Sequence, residues 1–204
     1  MTENTTKISE LIKLSKEIDK ISFPDIVRLT TNYSVIPLDL LNEQDKTLVR
    51  QIKKSANHFI SYYERTKQRF QGDRINDVGK KVEEVFSEEL KKTSIIPQLL
   101  SKSGYPDMKL IENPNRITYL ESKAVSKGWH SSFRSFYYTN GNKIDSDGRH
   151  LLIAWNIIEE TPKYWKILGF KICDLSRLEV NLKMEFNAGN DAIYSETMII
   201  PEFE

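Results

Sequence analysis

The stretch PDMKLIENPNRITYLESK, residues 106–123, decides the fold of the central part of this chain. Asn113-Pro114-Asn115, in its middle, is a cluster of turn-forming residues. Apolar and polar residues mix on both sides of that cluster, in runs long enough for short strands. The stretch therefore predicts a β-hairpin whose loop consists of these three residues.

The register of this hairpin brings acidic side chains together. With a three-residue loop, Glu112 pairs with Arg116, and counting outward places Asp107 opposite Glu121. Directly opposed residues have Cβ atoms roughly 4.5–5.5 Å apart, so the two carboxylates can share one cation. Because side chains alternate between the faces of a strand, Lys123 lies on the same face as Glu121. The opposite face carries Leu120, Ser122 and Ala124.

Two carboxylates beside one lysine are suited to the hydrolysis of a phosphodiester. Carboxylate oxygens that meet bind hard divalent cations such as Mg²⁺, and a bound cation polarises water for attack. We expect Asp107, Glu121 and the backbone carbonyl of Ser122 to bind Mg²⁺. Lys123 should orient the water and offset charge on phosphorus, because neighbouring carboxylates raise its pKa and keep it charged. The alternative is an ordinary cross-strand salt bridge.

Pro106-Asp107 followed by Glu121-Ser122-Lys123 resembles the signature of the PD-(D/E)xK nucleases. Because of its modest length and the additional helices predicted around this motif, the chain is most similar to a type II restriction endonuclease. The order of predicted elements extends the resemblance over about residues 74–157. The resemblance implies an α/β, restriction-endonuclease-like core, with a central mixed β-sheet flanked by helices. The family core usually has a helix between its third and fourth strands, for which the polar loop at 140–148 leaves little room.

The same resemblance implies Mg²⁺-dependent cleavage of double-stranded DNA at a short specific site, leaving a 5′-phosphate and a 3′-hydroxyl. It further implies a homodimer, which matches the two-fold symmetry of such a site, and a cognate DNA methyltransferase as partner. Two other functions stay open. One is a structure-selective DNA repair nuclease of the same superfamily, and the other is a noncatalytic DNA- or protein-binding module.

The N-terminal part of the chain is predicted to be mostly helical. Apolar residues recur at helical spacing near residues 7–20, from about 43 to 70 and over about 74–93. Residues 21–42, which contain Pro24 and Pro37, are expected to be irregular. We predict an N-terminal helical region at 1–73, serving dimerisation or DNA clamping, and a nuclease core at 74–204, within one continuous domain.

The helix predicted before the hairpin carries two adjacent glutamates. Glu83 lies at the margin of the apolar face of this helix, whereas Glu84 lies on its solvated side. In the PD-(D/E)xK nucleases a helix before the sheet often contributes a further acidic residue. Glu83 is therefore a candidate catalytic residue, and the alternative is an ordinary surface glutamate.

The segment 126–138, just beyond the predicted metal site, is the best candidate for DNA contact. Its lysine, arginine and serine side chains can donate to phosphates and base edges, and a strand is predicted over 131–138. Further strands are predicted at 150–158 and 164–172, whereas 174–186 fits helix or strand, with strand favoured. Arg149 and His150, which border the next strand, could also face DNA. The candidates for DNA binding are Ser126, Lys127, His130, Ser131, Ser132, Arg134 and Arg149.

Composition excludes several other classes of protein. The net charge of +1 is too small for a nonspecific nucleic-acid coat, although a narrow cleft needs only local positive charge. Cys173 is the single cysteine, which rules out an intrachain disulfide and a zinc cluster of cysteines. Because no apolar run reaches membrane-spanning length and the N-terminus is polar, we expect a cytoplasmic protein without membrane contact.

Overall fold

A computed structural model describes residues 3–18, 20–100, 104–126, 128–129, 138 and 143–182. Its helices are α1 (Glu3–Glu17), α2 (Phe23–Thr31), α3 (Glu43–Arg65) and α4 (Ile75–Leu90), with a 3₁₀ turn at Leu175–Arg177. Its strands are β1 (Ile21–Ser22), β2 (Phe70–Gln71), β3 (Ile96–Leu99), β4 (Met108–Asn113), β5 (Arg116–Val125), β6 (Arg149–Thr161), β7 (Tyr164–Asp174) and β8 (Glu179–Val180). No helix in the described part of the chain is long and apolar enough to cross a membrane.

The central element is a six-stranded mixed sheet in the order β2-β7-β6-β5-β4-β3. Strands β5 and β6 are parallel, and the other neighbours in this sheet are antiparallel. β1 and β8 form a separate two-stranded sheet. Helices packed on a mixed sheet confirm the predicted α/β class with a restriction-endonuclease-like core.

The chain divides into two compact units, one of residues 1–21 with 179–204 and one of residues 22–178. The larger unit contains the sheet together with α2, α3 and α4. Within the larger unit, α3 and α4 contribute to the same hydrophobic core. The regions 1–73 and 74–204 stay a prediction.

The apolar stripes of α3 and α4 explain this shared core. Residues three or four apart lie on one side of a helix, and on both helices the buried residues follow that spacing. The stripe residues are Leu48, Ile52, Ala56 and Phe59 on α3 and Val78, Val82, Phe86 and Leu90 on α4. They pack against the sheet, where Trp155 of β6 is edge-on to both Phe59 and Phe86. A stripe of this spacing is therefore core in α3.

The hairpin has the predicted register over most of its length. Met108 pairs with Leu120 and Ile111 pairs with Ile117, as counted from the sequence. Next to the turn the register shifts by one residue, so that Asn113 rather than Glu112 pairs with Arg116. The physical reason is a tighter turn: the side chain of Asn113 accepts a hydrogen bond from the backbone N–H of Asn115 at 3.0 Å, which leaves Asn113 in β4.

The prediction for residues 21–42 was wrong, because α2 lies within this range. Ser22 caps the helix by accepting from the backbone N–H of Asp25 at 3.4 Å. Pro24 lies in the first turn, where its missing N–H leaves no hydrogen bond unmade, so it starts a helix here.

Other predicted boundaries also move. The helix predicted to reach residue 70 ends at Arg65, and β2 follows at Phe70. Residues 174–186 contain the 3₁₀ turn and β8, and positions 183–186 lie outside the described residues, as does all of the strand predicted at 131–138 except Tyr138.

Candidate active site

The site lies where β4 and β5 stop pairing. The ladder ends at Met108 and Leu120, so Asp107 has no strand partner in it. The backbone carbonyl of Asp107 accepts from the N–H of Leu100 at 2.8 Å, and one carboxylate oxygen accepts from the N–H of Ser122 at 2.8 Å. The Asp107 side chain therefore takes the place of a strand carbonyl and satisfies a donor that the ladder leaves free.

The two faces of β5 have different tasks. Leu120 and Ala124 face the hydrophobic core, and the Ser122 hydroxyl accepts from the indole N–H of Trp155 at 3.0 Å. The alternation predicted from the sequence is confirmed, since Glu121 and Lys123 meet on the other face. Their side chains form an ion pair of 2.7 Å, in which Glu121 is 2% exposed and Lys123 is 33% exposed.

The electrostatics of Glu121 are unusual for a glutamate. Burial and the charge of Asp107 raise the pKa of Glu121 to about 7, against the opposing effect of Lys123. One oxygen of Glu121 faces Lys123, whereas Oε2 is buried and receives no hydrogen bond from a donor in the described part of the protein. The Asp107 carboxyl is within hydrogen-bonding range of Glu121 but has no donor when ionised. Although burial acts in the opposite direction, the carboxyls of Glu121, Asp107 and Glu83 raise the pKa of Lys123, as expected from the sequence.

Glu83 of α4 extends the acidic group. Its side chain is half-buried, whereas Glu84 is exposed, so the helix presents the two residues as its apolar periodicity predicts. Burial and the charge of Asp107 raise the pKa of Glu83 to about 7, and the charges of Lys123 and Lys143 oppose that rise. Glu83 therefore lies within electrostatic range of Asp107 and both lysines.

Lys143 carries no motif that marks it in the sequence. Its ammonium group donates to the backbone carbonyls of Gly104 at 2.6 Å, Pro106 at 2.8 Å and Leu100 at 3.4 Å. Burial lowers the pKa of Lys143 below its ordinary value, while the charge of Asp107 acts to raise it. No spacing rule links a lysine in a polar loop to a motif 37 residues before it in the chain, so no sequence signal marked this contact.

The donor set fits a hard divalent cation. A buried carboxylate oxygen of Glu121 that lacks a partner is a ready ligand, and oxygen ligands are those that Mg²⁺ prefers. Among the described residues, no group of three or more His, Cys, Asp or Glu side chains is arranged to hold a metal ion. A cation here would therefore rely on carboxylates, backbone carbonyl and water, with Glu121 and Asp107 as its nearest charged ligands.

Arg149 belongs to a second group of charges with Arg116 and Asp45. Its guanidinium is 2.5 Å from an Asp45 oxygen, and its side chain is only 12% exposed. His150 is fully buried, and its Nδ1 is 2.7 Å from the hydroxyl of Tyr105. Burial lowers the pKa of His150 to about 3, so this histidine is neutral inside the protein, and the expectation that it borders DNA was wrong.

Of the other DNA candidates, Ser126 follows the end of β5 and is exposed. Nearby, Trp129 packs beneath the ammonium group of Lys171, which is 4.7 Å from the ring centroid. The remaining candidates, Lys127, His130, Ser131, Ser132 and Arg134, lie outside the described residues.

Similarity to known proteins identifies the family. The model of the MjaV type II restriction enzyme family matches residues 16–197 of the chain. The type II restriction enzyme MjaV of Methanocaldococcus jannaschii is 33% identical over 216 residues, which cover 95% of this chain and 94% of that enzyme. No solved structure matches the chain. The chain therefore belongs to the MjaV family of type II restriction enzymes, and so to the site-specific deoxyribonucleases.

Proposed function

We propose that the opening between β4 and β5 is the active site, and that it hydrolyses phosphodiester bonds of double-stranded DNA with Mg²⁺ as cofactor. The observation that carries this proposal is the state of Glu121. A carboxylate that is 2% exposed, with one oxygen unpartnered in the described structure and Asp107 close by, is poorly compensated by Lys123 alone. Such a site gains stability when a divalent cation binds.

Asp107, Glu121 and the backbone carbonyl of Ser122 would hold the cation. When bound, it supplies a Lewis acid that polarises a water and a nonbridging phosphate oxygen. Lys123 stays charged, because the carboxyls around it raise its pKa. It orients the attacking water and offsets the negative charge that builds on phosphorus. In-line attack leaves a 5′-phosphate and a 3′-hydroxyl.

Glu83 supports the same pocket from α4. Its half-buried carboxyl lies within range of Asp107 and Lys123, so it can bind a water or a cation at the margin of the site. Glu84, one residue later, is exposed and takes no part.

The DNA-contacting surface in this proposal lies beyond the end of β5. It consists of Ser126, Lys127, His130, Ser131, Ser132 and Arg134. Arg149 is left out, because Asp45 already binds its guanidinium inside the protein. The proposed enzyme is a homodimer, since a symmetric duplex site is cut most simply by a symmetric dimer. A cognate DNA methyltransferase as partner and a cytoplasmic location are further parts of the proposal.

The test is cleavage of DNA by purified variants. Wild-type protein with Mg²⁺ should cut phage lambda DNA into discrete fragments, whose sequenced ends share one short site. Glu121→Ala and Lys123→Ala should each lose cleavage by about 10³-fold, the order expected when a charge-stabilising group is removed. Asp107→Asn should still bind DNA but lose Mg²⁺-dependent cutting.

The matched control is Lys166→Ala, which removes an ion pair with Glu64 away from the opening and should cut normally. Circular dichroism should show that all variants keep the fold. Full activity of Glu121→Ala or of Lys123→Ala would place the chemistry elsewhere.

A further inference from the structure

Three backbone carbonyls that precede β4, those of Leu100, Gly104 and Pro106, lie around one ammonium group. Leu100 N–H donates to the carbonyl of Asp107 at 2.8 Å. Lys143 Nζ lies 2.6 Å from the carbonyl of Gly104, 2.8 Å from that of Pro106 and 3.4 Å from that of Leu100. An ammonium group has three N–H donors and no acceptor, so these carbonyls use its whole bonding capacity.

The backbone that carries Lys143 is anchored to the sheet. Ile144, the next residue, is 5% exposed. Asp145 then accepts from Lys109 Nζ at 2.7 Å and from the Tyr119 hydroxyl at 2.7 Å. Because Lys109 is in β4 and Tyr119 is in β5, this segment is tied to both strands of the hairpin. Lys143 therefore links the carbonyls of Gly104 and Pro106 to a backbone segment that is itself bonded to the hairpin.

Asp107 directly follows Pro106, so the position of the Asp107 carboxylate depends on the backbone conformation at Pro106. That carboxylate accepts from the Ser122 N–H at 2.8 Å. We infer that Lys143 is a positioning residue, which holds the carbonyls of Gly104 and Pro106 and thereby keeps the Asp107 carboxylate at the Ser122 amide. The value of this position for cleavage rests on the proposed function, whereas the contact itself does not.

The contacts of Lys143 assign it to the backbone and not to the scissile phosphate. Its ammonium group lies within hydrogen-bonding distance of three backbone carbonyls. Lys123, by contrast, forms an ion pair with Glu121 and is one-third exposed, so it is the lysine with donors available for water or phosphate.

The first test needs neither DNA nor metal. Amide hydrogen exchange measured by NMR on the metal-free protein should show that Lys143→Met speeds exchange at Ser122 by about tenfold or more, since a charge-assisted acceptor is loosened. Exchange at Ile153, in the centre of the sheet, should not change. The matched control is Lys109→Met, which removes the ion pair of Lys109 with Asp145, while the Tyr119 hydroxyl still donates to Asp145. It should leave Ser122 unchanged.

The second test reads the effect on the site. Lys143→Met should raise the Mg²⁺ concentration for half-maximal cleavage about tenfold, the order of one lost hydrogen bond to a charged group. DNA binding should be unchanged, and Lys143→Arg, which keeps a charged donor, should recover part of the loss. If Lys143→Met does not fold, Lys143→Gln is measured by the same criteria.

Unchanged Ser122 exchange in the Lys143 variant, or an equal change in Lys109→Met, would overturn the inference. Should Glu121→Ala and Lys123→Ala both cut DNA normally, the proposed active site would be wrong. The exchange experiment would still decide whether Lys143 positions Asp107.

Discussion

Two carboxylates in the larger unit, Asp45 and Glu121, are almost equally buried, with side chains 1% and 2% exposed, but differ in their surroundings. Asp45 accepts from the backbone N–H of Asp39 at 2.7 Å and forms ion pairs with Arg116 and Arg149. Although burial acts to raise the pKa of Asp45, these partners hold it below its ordinary value. Glu121 has one lysine and a neighbouring carboxylate, and its pKa rises to about 7.

The difference indicates what each cluster does. Asp45 and Glu112, which pairs with Arg116 at 2.9 Å, together balance the charges of Arg116 and Arg149. The cluster joins the start of α3 to the starts of β5 and β6. Such a cluster stabilises the fold. The charges around Glu121 are not balanced, since Asp107 and Glu83 add further carboxyls. Perturbed and uncompensated groups of this kind cluster at functional sites, and in the proposed function the ligand of this cluster is a divalent cation.

The largest expected effect concerns the balanced cluster. Asp45→Asn leaves the buried Arg116 and Arg149 without their shared carboxylate, which should lower the free energy of unfolding by about 3–5 kcal/mol. Chemical denaturation measures this loss. Glu43→Gln, a change in the same helical turn at a glutamate that is 75% exposed, is the control and should cost less than about 1 kcal/mol. Equal losses in the two variants would contradict the comparison.

A smaller effect should appear in the pH dependence of stability of the metal-free protein. Because the pKa of folded Glu121 is about 7, above the ordinary 4.5, the folded state keeps a proton that the unfolded state loses between these values. Stability should therefore fall as pH rises through this window, by at most about 1.4 kcal/mol per pH unit for each such group.

Glu121→Gln removes one of these groups, while Glu83 keeps its own contribution. Denaturation at pH 4.5, 6 and 7.5 in EDTA should show a shallower fall for Glu121→Gln than for wild type. Parallel curves would show that Glu121 titrates like an ordinary surface carboxyl.

The smallest expected effect separates the adjacent glutamates of α4. Glu83→Gln should lower the cleavage rate at saturating Mg²⁺ about tenfold, less than the roughly 10²–10⁴-fold of a group that transfers the proton itself, because Glu83 lies at the margin of the proposed site. Glu84→Gln should cut at the wild-type rate, because Glu84 is exposed. Single-turnover kinetics measures both rates, and similar rates for the two variants would remove Glu83 from the proposed site.

The hairpin shows how far local sequence reasoning reaches. Alternation and turn chemistry were enough to predict the pairing of Met108 with Leu120 and the shared face of Glu121 and Lys123. The signature on this hairpin also led to the type II restriction enzymes, a resemblance that the family match confirms. The shift at Asn113 was missed, because one side-chain hydrogen bond decides between a two- and a three-residue turn.

Sequence alone thus determined the features that repeat with a local period: the apolar stripes of α3 and α4, the register of the hairpin, and the acidic motif at its open end. Only the tertiary structure decided which lysine or arginine side chain contacts which carboxylate or backbone carbonyl. Arg116 reaches Asp45 across 71 positions and Lys143 reaches Pro106 across 37. Pairing between distant segments depends on how helices and strands pack, and a lysine or arginine carries the same local pattern whether it faces solvent, a carboxylate or a loop.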